Sequence, residues 1–179
     1  MRHVPSLITA ILLSGLAGRA DAQNPAYEPL RQLPRGPEVI ALYIGSSGCG
    51  GSQDAELKAA IRAMKPLLAE HARATDRSFS VIGVALDWSV DAGTAYLDTL
   101  GPFDEIVAGR HWVNSAAIDH IWRDPSGWPG IPQVVLLERM VDVQRRSIRV
   151  GPDSVIARYR GPSEIIRWVD EGAPIPERF

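Results

Sequence analysis

The chain has 179 residues, with 19 Lys plus Arg against 21 Asp plus Glu, 45% hydrophobic residues and one Cys. That is material for one domain, and a formal net charge of -2 gives no large cationic surface, which argues against nucleic acid or anionic lipid as a primary partner. A single Cys also rules out an internal disulfide framework, a Cys-rich zinc site and an iron-sulfur cluster built from this chain alone.

Residues 1–22 read as a secretory signal. Met1, Arg2 and His3 make a basic start, residues 7–17 are mostly apolar, and Ala20-Asp21-Ala22 fits a small-x-small cleavage site. The apolar stretch is shorter than the ~20 residues of a bilayer span. The expected product is exported, periplasmic or secreted, with Gln23 at its start and no stable membrane insertion. The alternative is an uncleaved anchor. Residues 23–37 hold Pro25, Pro29, Pro34 and Pro37, show no periodicity and read as a Pro-rich leader.

Residues 38–45 (Glu-Val-Ile-Ala-Leu-Tyr-Ile-Gly) form an apolar run of strand formers that ends in Gly45-Ser46-Ser47-Gly48, the pattern of a buried strand. Residues 53–74 then place Leu57, Ala60, Ile61, Met64, Leu67, Leu68 and His71 at helical spacing, with a kink expected at Pro66. A second buried strand follows at 79–86, and a shorter helix at about 90–100, so the pattern is a parallel βαβ unit. Residues 101–109 read as a connection. Residues 114–122 look helical, with Ala117, Ile118, Ile121 and Trp122 on one side. Gly130-Ile131-Pro132 opens a third core strand at 133–137. Gly151-Pro152-Asp153 is turn chemistry between alternating strands at 147–150 and 154–160. Ser163 is expected to cap a last helix through about Asp170, which Gly172 closes.

These residues resemble the thioredoxin-like superfamily, most nearly its exported TlpA and peroxiredoxin-related branch. The resemblance is carried by the strand at 39–44, the Cys49-Gly50-Gly51-Ser52 step into a helix, the strand at 81–86 ending at Asp87, and Gly130-Ile131-Pro132 before a core strand. It covers residues 38–169, most of the chain beyond the signal. It implies an α/β thioredoxin-like fold with a central mixed sheet flanked by helices, spanning residues 38–172 and followed by a tail at 173–179. It further implies Cys49 as nucleophile, Ser52 at the position of a second Cys, and Pro132 as a cis proline facing Cys49. The departures are Ser52 in place of a resolving Cys, Gly48 where an aromatic residue is usual, and Tyr43 where a buried carboxylate is common. A dithiol shuttle is therefore not available, and Ser46-Ser47-Gly48 lacks the Pro and Thr of a typical peroxiredoxin.

Cys49 has a physical case of its own. A Cys at a helix start sits beside unpaired backbone N–H groups that favour thiolate over thiol, and Ser52 is placed to donate a hydrogen bond to it. Gly48, Gly50 and Gly51 leave room for a substrate. The plain alternative is a small buried residue in a Gly-rich turn. The same stretch nearly spells a phosphate-binding loop, but Gly51 stands where the essential Lys belongs. His71, His111 and His120 have no metal-ligand spacing. Asp87 is either functional or a helix cap. Trp122 and Trp168 fit core faces, whereas Trp128 precedes the expected cis proline and is either a platform beside Cys49 and Ile131 or simple packing.

Three functions fit this sequence. One is a monothiol thiol-disulfide oxidoreductase, with Cys49 forming mixed disulfides with a client protein or a low-molecular-weight thiol. Another is a redox-inactive module that binds an extended peptide beside Pro132. The third is an accessory protein of the cell envelope with one permanent bond through Cys49. Oxidation gives sulfenic acid, a mixed disulfide or a disulfide-linked dimer, never an internal bridge. None of the three calls for a cofactor or a metal.

Overall fold

The computed structural model describes residues 26–124 and 129–176. The secretory-signal reading of 1–22, the proposed Gln23 start and Trp128 lie outside them. The strand β1 (Gly36–Gly45) is the centre of a mixed sheet, because its apolar run allows both faces to be covered. Val39, Ala41 and Tyr43 face one core, and Ile40, Leu42 and Ile44 face the other. On one side β1 pairs in parallel with β2 (Ser78–Ala85), which pairs in parallel with β3 (Glu105–Val107). On the other it pairs antiparallel with β4 (Gln133–Gln144).

Four differences from the sequence reading concern this sheet. A short edge strand, β3, occupies part of the expected connection at 101–109. β4 runs on to Gln144, seven residues beyond its core segment. The strands β5 (Ser147–Val150) and β6 (Ser154–Arg160) do not form a hairpin with each other; both pair with β4, β5 along its distal end and β6 along its start. Gly151-Pro152-Asp153 therefore only interrupts the run along β4 between Val150, opposite Val141, and Ser154, opposite Glu138, and Gly151 N donates to Met140 O at 2.8 Å. Strand β1 also begins two residues before the expected boundary.

One face of the sheet is covered by α1 (Ala55–Ala74), α2 (Val90–Asp98) and α4 (Gly161–Asp170), counting a one-turn α3 (Ser115–Ala117) on the opposite face. Asp54 caps α1 by accepting Leu57 N at 2.9 Å. The buried positions of α1 recur at helical spacing from Leu57 to Ala72, and each buried Leu or Ile contributes roughly 1.5–3 kcal/mol. The helix continues through Pro66 without interruption. The expected Ser163 cap is replaced by a different start: Gly161 takes φ +75°, Pro162 fills the first turn, and Glu164 Oε2 accepts Arg160 N at 2.9 Å. At its far end Gly172 adopts φ +91° and Ala173 N returns to Trp168 O at 3.0 Å, the left-handed closure the sequence predicts.

Neither flank of the domain is free. Tyr27 packs edge-on against Phe79, and its hydroxyl donates to Asp104 at 2.5 Å. Asp104 also accepts Leu30 N and Val81 N, each at 2.6 Å, so the described part of the leader is strapped to β2. Past α4, Ala173 is fully buried and Trp168 Nε1 donates to Pro174 O at 3.1 Å. The start of the expected tail thus belongs to the core.

Candidate functional site

The site is built where β1 ends. Gly45 O accepts Leu86 N at 2.8 Å, which keeps the ends of β1 and β2 together as both chains leave the sheet. Gly45 pairs with Ala85, and continuing that parallel register brings Ser47 beside Asp87. Asp87, almost fully buried, accepts Ser47 N at 3.2 Å and also a short hydrogen bond from Ser47 Oγ. The cap of α2 is Ser89 instead, whose Oγ accepts Ala92 N at 3.1 Å. Asp87 is therefore an anchor of the Cys loop and not a helix cap.

Inside the loop, Cys49 N donates to Ser46 O at 3.2 Å, Gly48 N to Ser46 Oγ at 3.2 Å, and Gln53 Nε2 to Ser47 O at 2.9 Å. These bonds hold Cys49 half-buried, with Sγ 3.6 Å from the carbonyl oxygen of Ile131. Ile131 and Pro132 are thereby brought onto the thiol, and the Ile131–Pro132 bond is cis, as the sequence resemblance implies. A Cβ on Gly51 would stand 3.3 Å from Pro132 Cδ and 3.4 Å from Pro162 Cγ. Gly51 is thus needed for close packing within the protein, while Gly50 faces open space.

Two expectations about this loop are corrected. Cys49 does not start the long helix: a three-residue 3-10 turn (Gly51–Gln53) and the capping Asp54 intervene. Ser52 is fully buried, and its Oγ accepts Ser46 N at 3.3 Å in place of bonding the Cys49 sulfur. Ser52 instead joins a buried hydroxyl chain. Tyr43 and Tyr96 share a 2.6 Å hydrogen bond, and the Tyr96 hydroxyl donates to Ser52 O at 3.2 Å. Burial pushes both phenols above their ordinary value, Tyr43 strongly, with the neighbouring phenol and the Cys49 charge adding to Tyr43. Both hydroxyls stay neutral and lie within electrostatic reach of Cys49. The two hydroxyls press on the Gly45 backbone, where a Cβ would lie 2.5 Å from one and 2.7 Å from the other.

Beside Ile131 an apolar cleft is lined by Trp112, Trp122, Pro129 and Gly130. Trp122 is 53% exposed, not on the core side as the sequence predicts. The reason is that Ile118–Trp122 is a π-helical turn, with Arg123 N bonded to Ile118 O at 3.0 Å, so the angular step differs from an α-helix. Trp122 Nε1 donates to Trp112 O at 2.6 Å. An aromatic row continues through His111 to Trp88, which is 78% exposed and stacked on His111 with ring centres 4.7 Å apart. The sequence carries no signal for this row, and Trp128, read there as either a platform or simple packing, lies outside the described residues. Trp168, by contrast, is core, stacked on Tyr159 at 4.2 Å.

No protein-family model, curated protein or solved structure matches this chain. The site therefore rests on its own geometry. His71 Nε2 pairs with Gly172 O at 2.9 Å, and His120 lines a separate cleft with Arg158 and Arg160. Among the described residues no group of three or more His, Cys, Asp or Glu side chains is placed to hold a metal ion.

Proposed function

We propose that the chain is an exported, thioredoxin-like protein of monothiol type, in which Cys49 carries out thiol-disulfide exchange. The observation that carries this reading is the Cys49 Sγ held 3.6 Å from Ile131 O, half-exposed at the end of the central strand and beside Pro132. The order of strand, Cys turn, long helix, parallel strand, Pro-led antiparallel strand and closing helix supports the fold assignment. Export rests on residues 1–22, and no described helix is long and apolar enough to cross a membrane.

In the proposed step the Cys49 thiolate attacks one sulfur of a client or low-molecular-weight disulfide. A new sulfur–sulfur bond forms to Cys49, the old one breaks, and the leaving sulfur departs with the electron pair as a thiolate. A thiolate from a second molecule then attacks the mixed disulfide and releases Cys49 in its starting state. Ser52 keeps the loop in shape through Ser46 and supplies no resolving sulfur. The neutral phenols of Tyr43 and Tyr96 give the loop a fixed polar floor.

The test is incubation of the folded protein with glutathione disulfide, followed by intact mass. One glutathionyl adduct, removed by added thiol and absent in Cys49→Ser, supports the reading. A native protein that forms no adduct contradicts it. The exposed cleft of Trp112 and Trp122 favours a second reading, a redox-inactive module that binds apolar peptide. Under that reading Cys49→Ser leaves peptide capture intact.

A further inference from the structure

On the sheet face opposite α1 lies a cleft of about 430 Å³ lined by Asp119, His120, Arg123, Asp124, Arg158 and Arg160. Arg158 and Arg160 reach it from alternate positions of β6. Most of its charges are already matched. Arg123 pairs with Asp119 one helical turn away, and Arg158 pairs with Asp124 at 2.8 Å while its Nη1 donates to Gln133 Oε1 at 2.7 Å. Arg160 has no carboxylate partner for its guanidinium among the described residues, and its Nε is buried without any hydrogen-bond partner. A buried donor of a charged group left without an acceptor is costly, and native proteins rarely keep one unless water, a ligand or an ion completes it.

Two further facts bear on what completes it. Burial lowers Arg158 from its ordinary value, Asp124 opposes that, and the charge of Arg160 adds to the lowering. The two arginines thus repel each other across the cleft. With His120 neutral, a state that burial favours against the pull of Asp153 and Asp119, the lining itself holds three arginines and two carboxylates. We propose that this cleft binds a small oxyanion, a phosphate group or a carboxylate, whose oxygens take the Arg160 Nε–H and lie between Arg160 and Arg158. Guanidinium forks suit such planar or tetrahedral oxygen pairs.

The cleft is also joined to the Cys loop. Arg160 pairs with Gln133 in the sheet, Gly161 N donates to Pro132 O at 2.8 Å, and the Gln133 side chain bonds back to Gly130 O. The proposal itself uses no thiol chemistry, so its failure leaves the reading of Cys49 untouched. Thermal unfolding of the full chain is measured in sodium chloride, sodium phosphate and sodium acetate at equal ionic strength. The expected result is a saturable rise in the midpoint with phosphate, with acetate, or with both. A response to phosphate alone assigns a phosphoryl ligand, and a response to acetate assigns a carboxylate. The rise should vanish in Arg160→Gln and persist in Arg145→Gln, an exposed position in the β4–β5 turn. Should Arg160→Gln not fold, the Arg160 Nε–H resonance in isotope-labelled wild-type protein gives the same answer, because it moves only if the anion reaches that atom. Midpoints that are equal in all three salts, a rise that Arg160→Gln retains, or an unmoved resonance would overturn the proposal.

Discussion

At the scale of single residues, the position of Cys49 depends on the carboxylate of Asp87, forty positions from the Ser47 it anchors. Asp87 takes two hydrogen bonds from Ser47, and these tie the loop that carries the thiol to the chain leaving β2, beside the bond from Leu86 N to Gly45 O. Hydrogen bonds to a charged group contribute about 1.5–3 kcal/mol. Asp87→Ala should therefore lower unfolding stability by roughly 2–3 kcal/mol, and should also raise the rate at which Cys49 is alkylated in the native state, measured by denaturant unfolding and by thiol titration. An unchanged alkylation rate would separate Asp87 from the site. The cis bond at Pro132 was expected from the thioredoxin-like resemblance and from no local signal, whereas Gly48, Gly50 and Gly51 mark the turn around Cys49 directly. The role of Asp87 was not legible in the sequence, because it follows from the parallel register of Gly45 with Ala85, and register is set by tertiary packing.

At the scale of elements, periodicity located β1, α1, β2, α2 and the core of β4, and it failed where the backbone left the regular step. The π-helical turn at Ile118–Trp122 rotates Trp122 outward from the side on which an α-helix would place it. The pairing of β6 with β4, not β5, was hidden because a Gly-Pro-Asp segment looks the same whether its strands pair with each other or run on along a common partner. The docking of the leader left no signal in the sequence for a related reason: Pro residues exclude a helix and say nothing of docking. Tyr27 and Leu30 are held by Asp104, which also fixes Val81. Asp104→Ala should release residues 26–35, and limited proteolysis should then cut within them while the rest of the domain resists. A leader that stays protected would show that the Tyr27–Phe79 contact suffices.

For the whole molecule, buried titratable groups set a definite dependence of stability on pH. Lys65 is buried beneath the segment that follows α2, its Nζ bonded to Leu100 O at 2.9 Å and Pro102 O at 2.7 Å and set 3.6 Å from the Phe103 ring centre. Burial pushes its pKa down to about 7, against the pull of Asp104. The unfolded chain keeps that proton up to about 10.5, so between these values the unfolded state binds more protons and stability rises with pH. His120, also lowered by burial, acts in the same direction at lower pH. Tyr27, Tyr43 and Tyr96 are raised, and they contribute stability that is lost only as pH climbs beyond their ordinary value of 10. Denaturant unfolding should therefore give a free energy that increases from pH 7 toward pH 10, by an amount on the order of a few kcal/mol. In Lys65→Met most of that slope should be gone. A flat or falling profile in the wild-type protein would contradict this placement of Lys65.

Cys49 stands half-buried at the end of β1, where we propose that it works as a thiol and not as packing. The most direct measurement compares the rate of Cys49 alkylation by iodoacetamide in the native protein with the rate in the same protein unfolded by urea. A half-buried sulfur beside an exposed apolar cleft predicts a native rate within about tenfold of the unfolded one, and no reaction in Cys49→Ser. A Cys49 that resists the reagent until the protein unfolds would contradict the claim and leave a structural cysteine at the end of β1.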